Sequence, residues 1–134
     1  MALGRRKQQQ QEMFVTTSAL PRSPGHPLYV ALNRLLADAG FDAQVEKLCE
    51  SLYHEGGRPS ISPGVFFRML FIGYFEGIDS QRGIAWRCSD SLSLRTLLGL
   101  QATVASPDHS SLTVNRKRLP KELIEQVFAF VLKI

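Results

Sequence analysis

A chain of 134 residues, 44% hydrophobic and 21% charged, is long enough to bury one core and has the composition of an ordinary globular domain. No apolar run reaches the roughly 18 residues of a membrane span, and the opening MALGRRKQQQQEMF has a basic patch with no apolar stretch behind it, so neither a span nor a secretory leader is expected and the cytoplasm is the default location. The net charge of +4 is uneven: residues 1–27 hold four basic against one acidic residue, 28–100 seven against eight, and 101–134 five against three. Basic flanks on a near-neutral middle suit a polyanionic partner.

Residues 1–26 are predicted to be a mobile, disordered basic tail. A glutamine run follows Arg5, Arg6 and Lys7, and Pro21, Pro24 and Pro27 then hinder helix where little apolar area is available for burial. Met13, Phe14 and Val15 could dock as an extended arm. Order is expected from Pro27, which suits a first helical turn, with Leu28, Val30, Ala31, Leu32, Leu35 and Leu36 at helical spacing and Gly40 as the stop. Asp42 is the predicted cap of a second helix, whose apolar side is Val45, Leu48, Cys49, Leu52 and Tyr53 and whose end is Gly56-Gly57.

Ser62 before Pro63 reads as a cap followed by a first-turn proline. From Val65 to Phe75 the helix is apolar on nearly every side and too short to span a membrane, which makes it the central core helix, with Arg68 in its middle. Gly73 would permit close helix contact and Gly77 would end the element. Asp79 or Ser80 caps a fourth helix, SQRGIAWRC. A fifth, SLSLRTLLG, runs from a Ser91 cap to a Gly99 stop. Ser106 with Pro107 is the predicted start of a sixth. The last, PKELIEQVFAFVLKI, carries Leu123, Ile124, Val127, Phe128 and Val131 and shows no stop signal. No segment alternates with a period of two. The fold class is therefore all-α: a compact bundle of six to seven short helices over residues 27–134, behind the tail.

Chemistry is thin. Cys49 and Cys88 have no zinc-ligand spacing and read as buried free thiols; His26, His54 and His109 are scattered; no phosphate loop or dinucleotide fingerprint occurs. Asp108, His109 and Ser110 are the residue types of a hydrolase triad, but consecutive helical residues point about 100° apart and cannot relay a proton among themselves. Ser106 and Asp108 serve better as caps at a helix N-terminus. No catalytic residue, metal ligand, cofactor or small-molecule substrate is expected in this chain.

Two features suit a polyanion. With Leu112 and Leu119 inward, Ser110, Ser111, Val114, Lys117 and Arg118 fall on the opposite side and Arg116 near the edge, so hydroxyls and cations share a face fit for phosphates and base edges. In LFIGYFEGIDSQRGIAWRC, a helix, a short glycine turn and a second helix have helix-turn-helix spacing. Ile84 and Cys88 mark its inner side, Arg82 turns outward, and Trp86, four residues on, could stack on Arg82. Trp86 reads more readily as a core or interface anchor than as a base-stacking platform. A solvated basic face fits the same spacing.

The linked run GRPSISPGVFFRMLFIGYFEGIDSQRGIAWRCSDSLSLRTLLGL, then SPDHSSLTVNRKRLP, with LPRSPGHPLYVALNRLLADAGFD before it, resembles the N-terminal domain of bacterial insertion-sequence transposases. The resemblance covers roughly residues 10 to 134. It rests on Arg58, Pro59, Gly73, Tyr74, Gly77, Ser80, Arg82, Arg87, Pro107, Asp108, His109, Ser110, Arg116, Arg118 and Leu119, and departs at Val114-Asn115, where a more basic stretch is expected. It implies a helical domain that binds double-stranded DNA at the element's terminal inverted repeats and helps the transposase to self-associate. It also implies a following ribonuclease-H-like domain with an Asp-Asp-Glu triad for two divalent metals; none of those carboxylates maps onto this chain, so the catalytic domain is expected to be absent and the location to be the nucleoid.

The candidate DNA-binding residues, from the helix faces and the resemblance together, are Arg82, Arg87, Ser110, Ser111, Arg116, Lys117 and Arg118, with phosphate contacts from Arg82, Arg116, Lys117 and Arg118 helped by the Arg5–Lys7 tail. The competing readings are a protein-interaction module dimerising through its last helix, an enzyme in its own right, and a non-functional truncated remnant.

Overall fold

The computed structural model describes residues 1–20, 25–52, 61–101 and 103–133. Among them are seven α-helices and no strand: α1 (Pro27–Asp38), α2 (Phe41–Cys49), α3 (Pro63–Glu76), α4 (Gln81–Ser89), α5 (Leu92–Leu97), α6 (His109–Arg118) and α7 (Lys121–Leu132). Short 3-10 turns lie at Thr17–Ala19 and Glu50–Leu52. Residues 1–16 form no helix and are exposed, as the tail composition requires. No helix among the described residues is long and apolar enough to cross a membrane.

The bundle is built around α3, nine of whose residues, Gly64 and the run from Phe66 to Gly73, are buried. The neighbours supply one apolar stripe each: Tyr29, Leu32 and Leu36 from α1, Phe41, Val45 and Cys49 from α2, Ile84 and Cys88 from α4, Leu94 and Leu97 from α5, Leu112 from α6 and Val127 from α7. Ring contacts join the layers, with Phe71 centred 5.7 Å from Phe41 and 5.0 Å from Phe128. The close approach of α4 depends on Gly73, where a Cβ would stand 2.6 Å from Ile84 Cδ1. Burial holds the thiols of Cys49 and Cys88 in the protonated form, Cys88 being pushed up to about 12.

Helix ends follow the capping chemistry with two corrections. Ser62, Ser80 and Ser91 each accept the amide three residues on, at 3.3, 3.0 and 3.2 Å. Gly77 ends α3 in the left-handed region with φ 67°. The first correction is at α2, where left-handed Gly40 stands before Phe41 and Asp42 lies inside the first turn without capping it. Its carboxylate is committed elsewhere, accepting both terminal nitrogens of Arg68 at 2.6 and 2.9 Å. Arg68 also lies over the Phe41 ring, 5.4 Å from its centroid. The second correction is at α6, which begins at His109 with Asp108 as its cap, two residues after the predicted start at Ser106 and Pro107. Arg95 donates to the carbonyls of Gln101 and Val104, anchoring the stretch that leads to α6. Tyr53, His54, Gly56, Gly57, Arg58 and Pro59, which carried sequence expectations, lie outside the described residues.

Candidate nucleic-acid interface

α6 buries one narrow stripe and exposes mostly polar residues elsewhere, Val114 being the apolar exception. Leu112 and Asn115 are buried on it and Leu119 follows. Asn115 Nδ2 donates to Ser111 O at 2.8 Å, so a polar side chain sits inward and bonds back to its own helix. This accounts for the departure at Val114-Asn115: Asn115 is part of the packing side and cannot contribute to a basic surface. At the start of α6, Asp108 Oδ1 accepts the Ser111 amide at 3.0 Å, and that backbone hydrogen bond holds the carboxyl below its usual range. The Asp-His-Ser stretch is therefore a capped helix start.

α4 packs beside α6. Thr113 Oγ1 donates to His109 O at 2.9 Å and also engages Gln81 Oε1, and Arg82 Nη2 lies 3.4 Å from His109 Nε2. The two helices thus share an edge on which Arg82, Ser110, Val114, Arg116 and Lys117 are exposed. Ser111 and Arg118 are half-buried, and Arg118 makes a contact within the molecule. Ser110 and Lys117 are seven residues apart, about 10.5 Å along the axis and nearly on one line. No carboxylate among the described residues forms an ion pair with Arg82, Arg116 or Lys117. The three last-turn cations also complement the negative end of α6.

Arg87 is placed differently. Its Nε donates to Glu76 Oε1 at 2.7 Å, while Tyr29 Oη donates to Glu76 Oε2 at 2.6 Å. Glu76 therefore ties α1 and α4 to the end of α3. Burial pushes its carboxyl up, but the bonds from Tyr29 and Arg87 and the charge of Arg87 outweigh that and hold it below its ordinary value. The Tyr29 hydroxyl is pushed up, by burial first and then by the Glu76 bond.

Of the residues predicted from sequence, the structure brings Arg82, Ser110, Arg116 and Lys117 to one exposed edge, leaves Ser111 and Arg118 at its rim, and turns Arg87 to Glu76. Trp86 is exposed on α4 and is not a core anchor, and the Arg82 guanidinium turns to His109 with no stacking on the indole. Sequence reasoning missed His109 as the neighbour of Arg82; the signal was only that both helices begin with polar residues. A two-metal centre needs converging carboxylates. Among the described residues no three His, Cys, Asp or Glu side chains gather.

The fold and this edge define a small all-α domain with a basic edge whose Arg82, Arg116 and Lys117 have no ion-pair partner among the described residues. Residues 18–118 match the family described as "Transposase domain (DUF772)", and the chain belongs to that family. No curated protein and no solved structure gives a significant match.

Proposed function

We propose that this chain is the DNA-binding and assembly domain of an insertion-sequence transposase, recognising the element's terminal repeats and breaking no bonds itself. The observation that carries this reading is the α4–α6 edge, where Arg82, Arg116 and Lys117 are exposed without an acidic partner among the described residues. These three meet phosphates, Arg118 reaches from the rim, and Ser110 and Ser111 offer hydroxyls to phosphate or base edges. Arg87 supports the scaffold through Glu76. The Arg5–Lys7 tail adds sequence-independent attraction, and the protein works where the cell's DNA is. Family membership supports the reading, since a transposase acts on DNA.

Fluorescence anisotropy with a terminal-repeat duplex at several salt concentrations tests it. Three neutralised phosphates give a log–log slope of about −2.7, steeper where the tail contributes. A flat slope, or no binding to any duplex, refutes it. A supercoiled plasmid incubated with magnesium or manganese is expected to stay unnicked.

Self-association belongs to the same proposal and rests on α7. Only Val127 of that helix is fully buried, Leu132 is exposed, and a cleft lined by Val45, Leu48, Val127 and Phe130 runs between α2 and α7. Light scattering is expected to show a dimer whose fraction rises with protein concentration.

A further inference from the structure

Trp86, the chain's single tryptophan, is 65% exposed in the middle of a helix. α4 buries Ile84, Ala85 and Cys88, and at 100° per residue Trp86 points about 150° away from their mean direction. The sequence thus aims the residue with the largest apolar face outward, in a position where an ordinary surface helix carries a polar side chain. No ring contact holds it among the described residues, and Arg82, one turn before it, is exposed with its guanidinium 3.4 Å from His109. α4 meets α6 at its first turn, so the outer surface that carries the indole also carries Arg82, which lies one turn before it and near His109.

A flat aromatic face beside an exposed cation without an acidic partner is an arrangement that takes a nucleobase with its adjoining phosphate. Inside a duplex both faces of a base are covered by its neighbours, so a stacking side chain can engage only a base that has left the stack. We propose that Trp86 is a stacking platform for an unpaired base of DNA, with Arg82 taking the adjoining phosphate. The proposal rests on the DNA-binding reading and deepens it: the preferred ligand is DNA with a single-stranded extension or a frayed end, not a continuous duplex. Asp90 lies one turn beyond Trp86 on the same side. It repels phosphate there and so directs the backbone toward the Arg82 end. This charge pattern favours nucleic acid over an apolar protein partner, which would need no cations around the ring.

The test compares a blunt duplex with the same duplex carrying a short single-stranded extension, by anisotropy and by the intrinsic fluorescence of Trp86. The extended duplex is expected to bind about tenfold more tightly, the usual effect of stacking one base, and to quench the indole. The ratio of the two affinities is expected to fall to about one in Trp86→Ala and to be largely retained in Trp86→Phe, which keeps a ring. Far-UV circular dichroism of both variants confirms that the exposed site tolerates the change. Equal binding of both duplexes without quenching overturns the stacking role and leaves the DNA-binding reading standing. So does a Trp86→Ala variant that loses self-association in light scattering but keeps the affinity ratio, since that assigns the indole to a protein partner. Failure of the wild type to bind either duplex overturns both.

Discussion

Arg68 and Arg82 are the same residue on consecutive helices, and their surroundings give them opposite uses. The Arg68 side chain is 8% exposed, held by two hydrogen bonds to Asp42 and covered by Phe41. Arg82 stands at an open edge with a histidine at 3.4 Å. A guanidinium cannot shed its charge, so an interior one demands a carboxylate. An exposed one demands nothing from the protein and remains available to a ligand. What separates scaffold from surface here is the presence of a carboxylate, and Arg87 with Glu76 shows that a partly exposed cation can also be committed.

The strongest way to break the comparison is to strip Arg68 of its partner. Asp42→Ala leaves a buried charge unmatched, which costs about 3–5 kcal/mol for a fully buried pair. The Asp42 side chain is 54% exposed, so water reaches its end of the pair and the expected loss is nearer about 2 kcal/mol, read from urea unfolding. Gly64→Ala keeps both charges but should push the pair apart, because a Cβ there would fall 1.9 Å from Asp42 Oδ1 and 2.9 Å from Arg68 Nη1; the loss is expected to be smaller than in Asp42→Ala, since the partly exposed Asp42 side chain can shift. Equal stability of both variants and wild type would show that the pair contributes nothing.

This buried pair also marks the limit of what the sequence disclosed. The helical periods, the Ser62, Ser80 and Ser91 caps and the Gly73 contact were legible because each depends on residues close in the chain or on one face of one helix. The Asp42–Arg68 pair was not, since its partners are 26 residues apart and only the packing of α2 on α3 joins them. Asp42 at a helix start looked like a cap for the same reason that Asp108 is one; tertiary demand from Arg68 decided between them. At the candidate interface the outward turn of Arg82 and Lys117 was readable from helical phase. The commitment of Arg87 to Glu76 was not, because it required knowing how α4 returns along α3.

The next largest effect sharpens the comparison from the surface side. Arg82→Ala and Lys117→Ala are each expected to change stability by less than about 0.5 kcal/mol. Each should also flatten the salt dependence of DNA binding by about 0.9 in log–log slope. His109→Glu is the more telling variant. It leaves every cation in place but sets a carboxylate where the imidazole now lies near Arg82, at the first turn of α6, where an acidic residue suits the helix dipole. The slope is expected to flatten at least as much as in Arg82→Ala, with the fold intact. A slope unchanged by His109→Glu would mean that Arg82 contacts no phosphate.

The smallest expected effect concerns Glu76, the carboxylate that matches Arg87. Its pKa in the folded protein lies below the ordinary value of 4.5, so the unfolded chain takes up the proton first as pH falls. The stability it contributes is therefore fully present above that value and is lost as pH drops through the lower folded one. Glu76→Gln keeps an oxygen for Tyr29 and removes the titration, so its melting temperature should fall less than that of wild type on acidification below pH 4.5, measured by circular dichroism. Because Arg87 is partly exposed, water already shields much of this pair, and the difference should be well below that seen for Asp42→Ala. A parallel acid response in the two proteins would mean that the bonds from Tyr29 and Arg87 do not favour the charged carboxylate, and Arg87 would then be as free for a phosphate as Arg82.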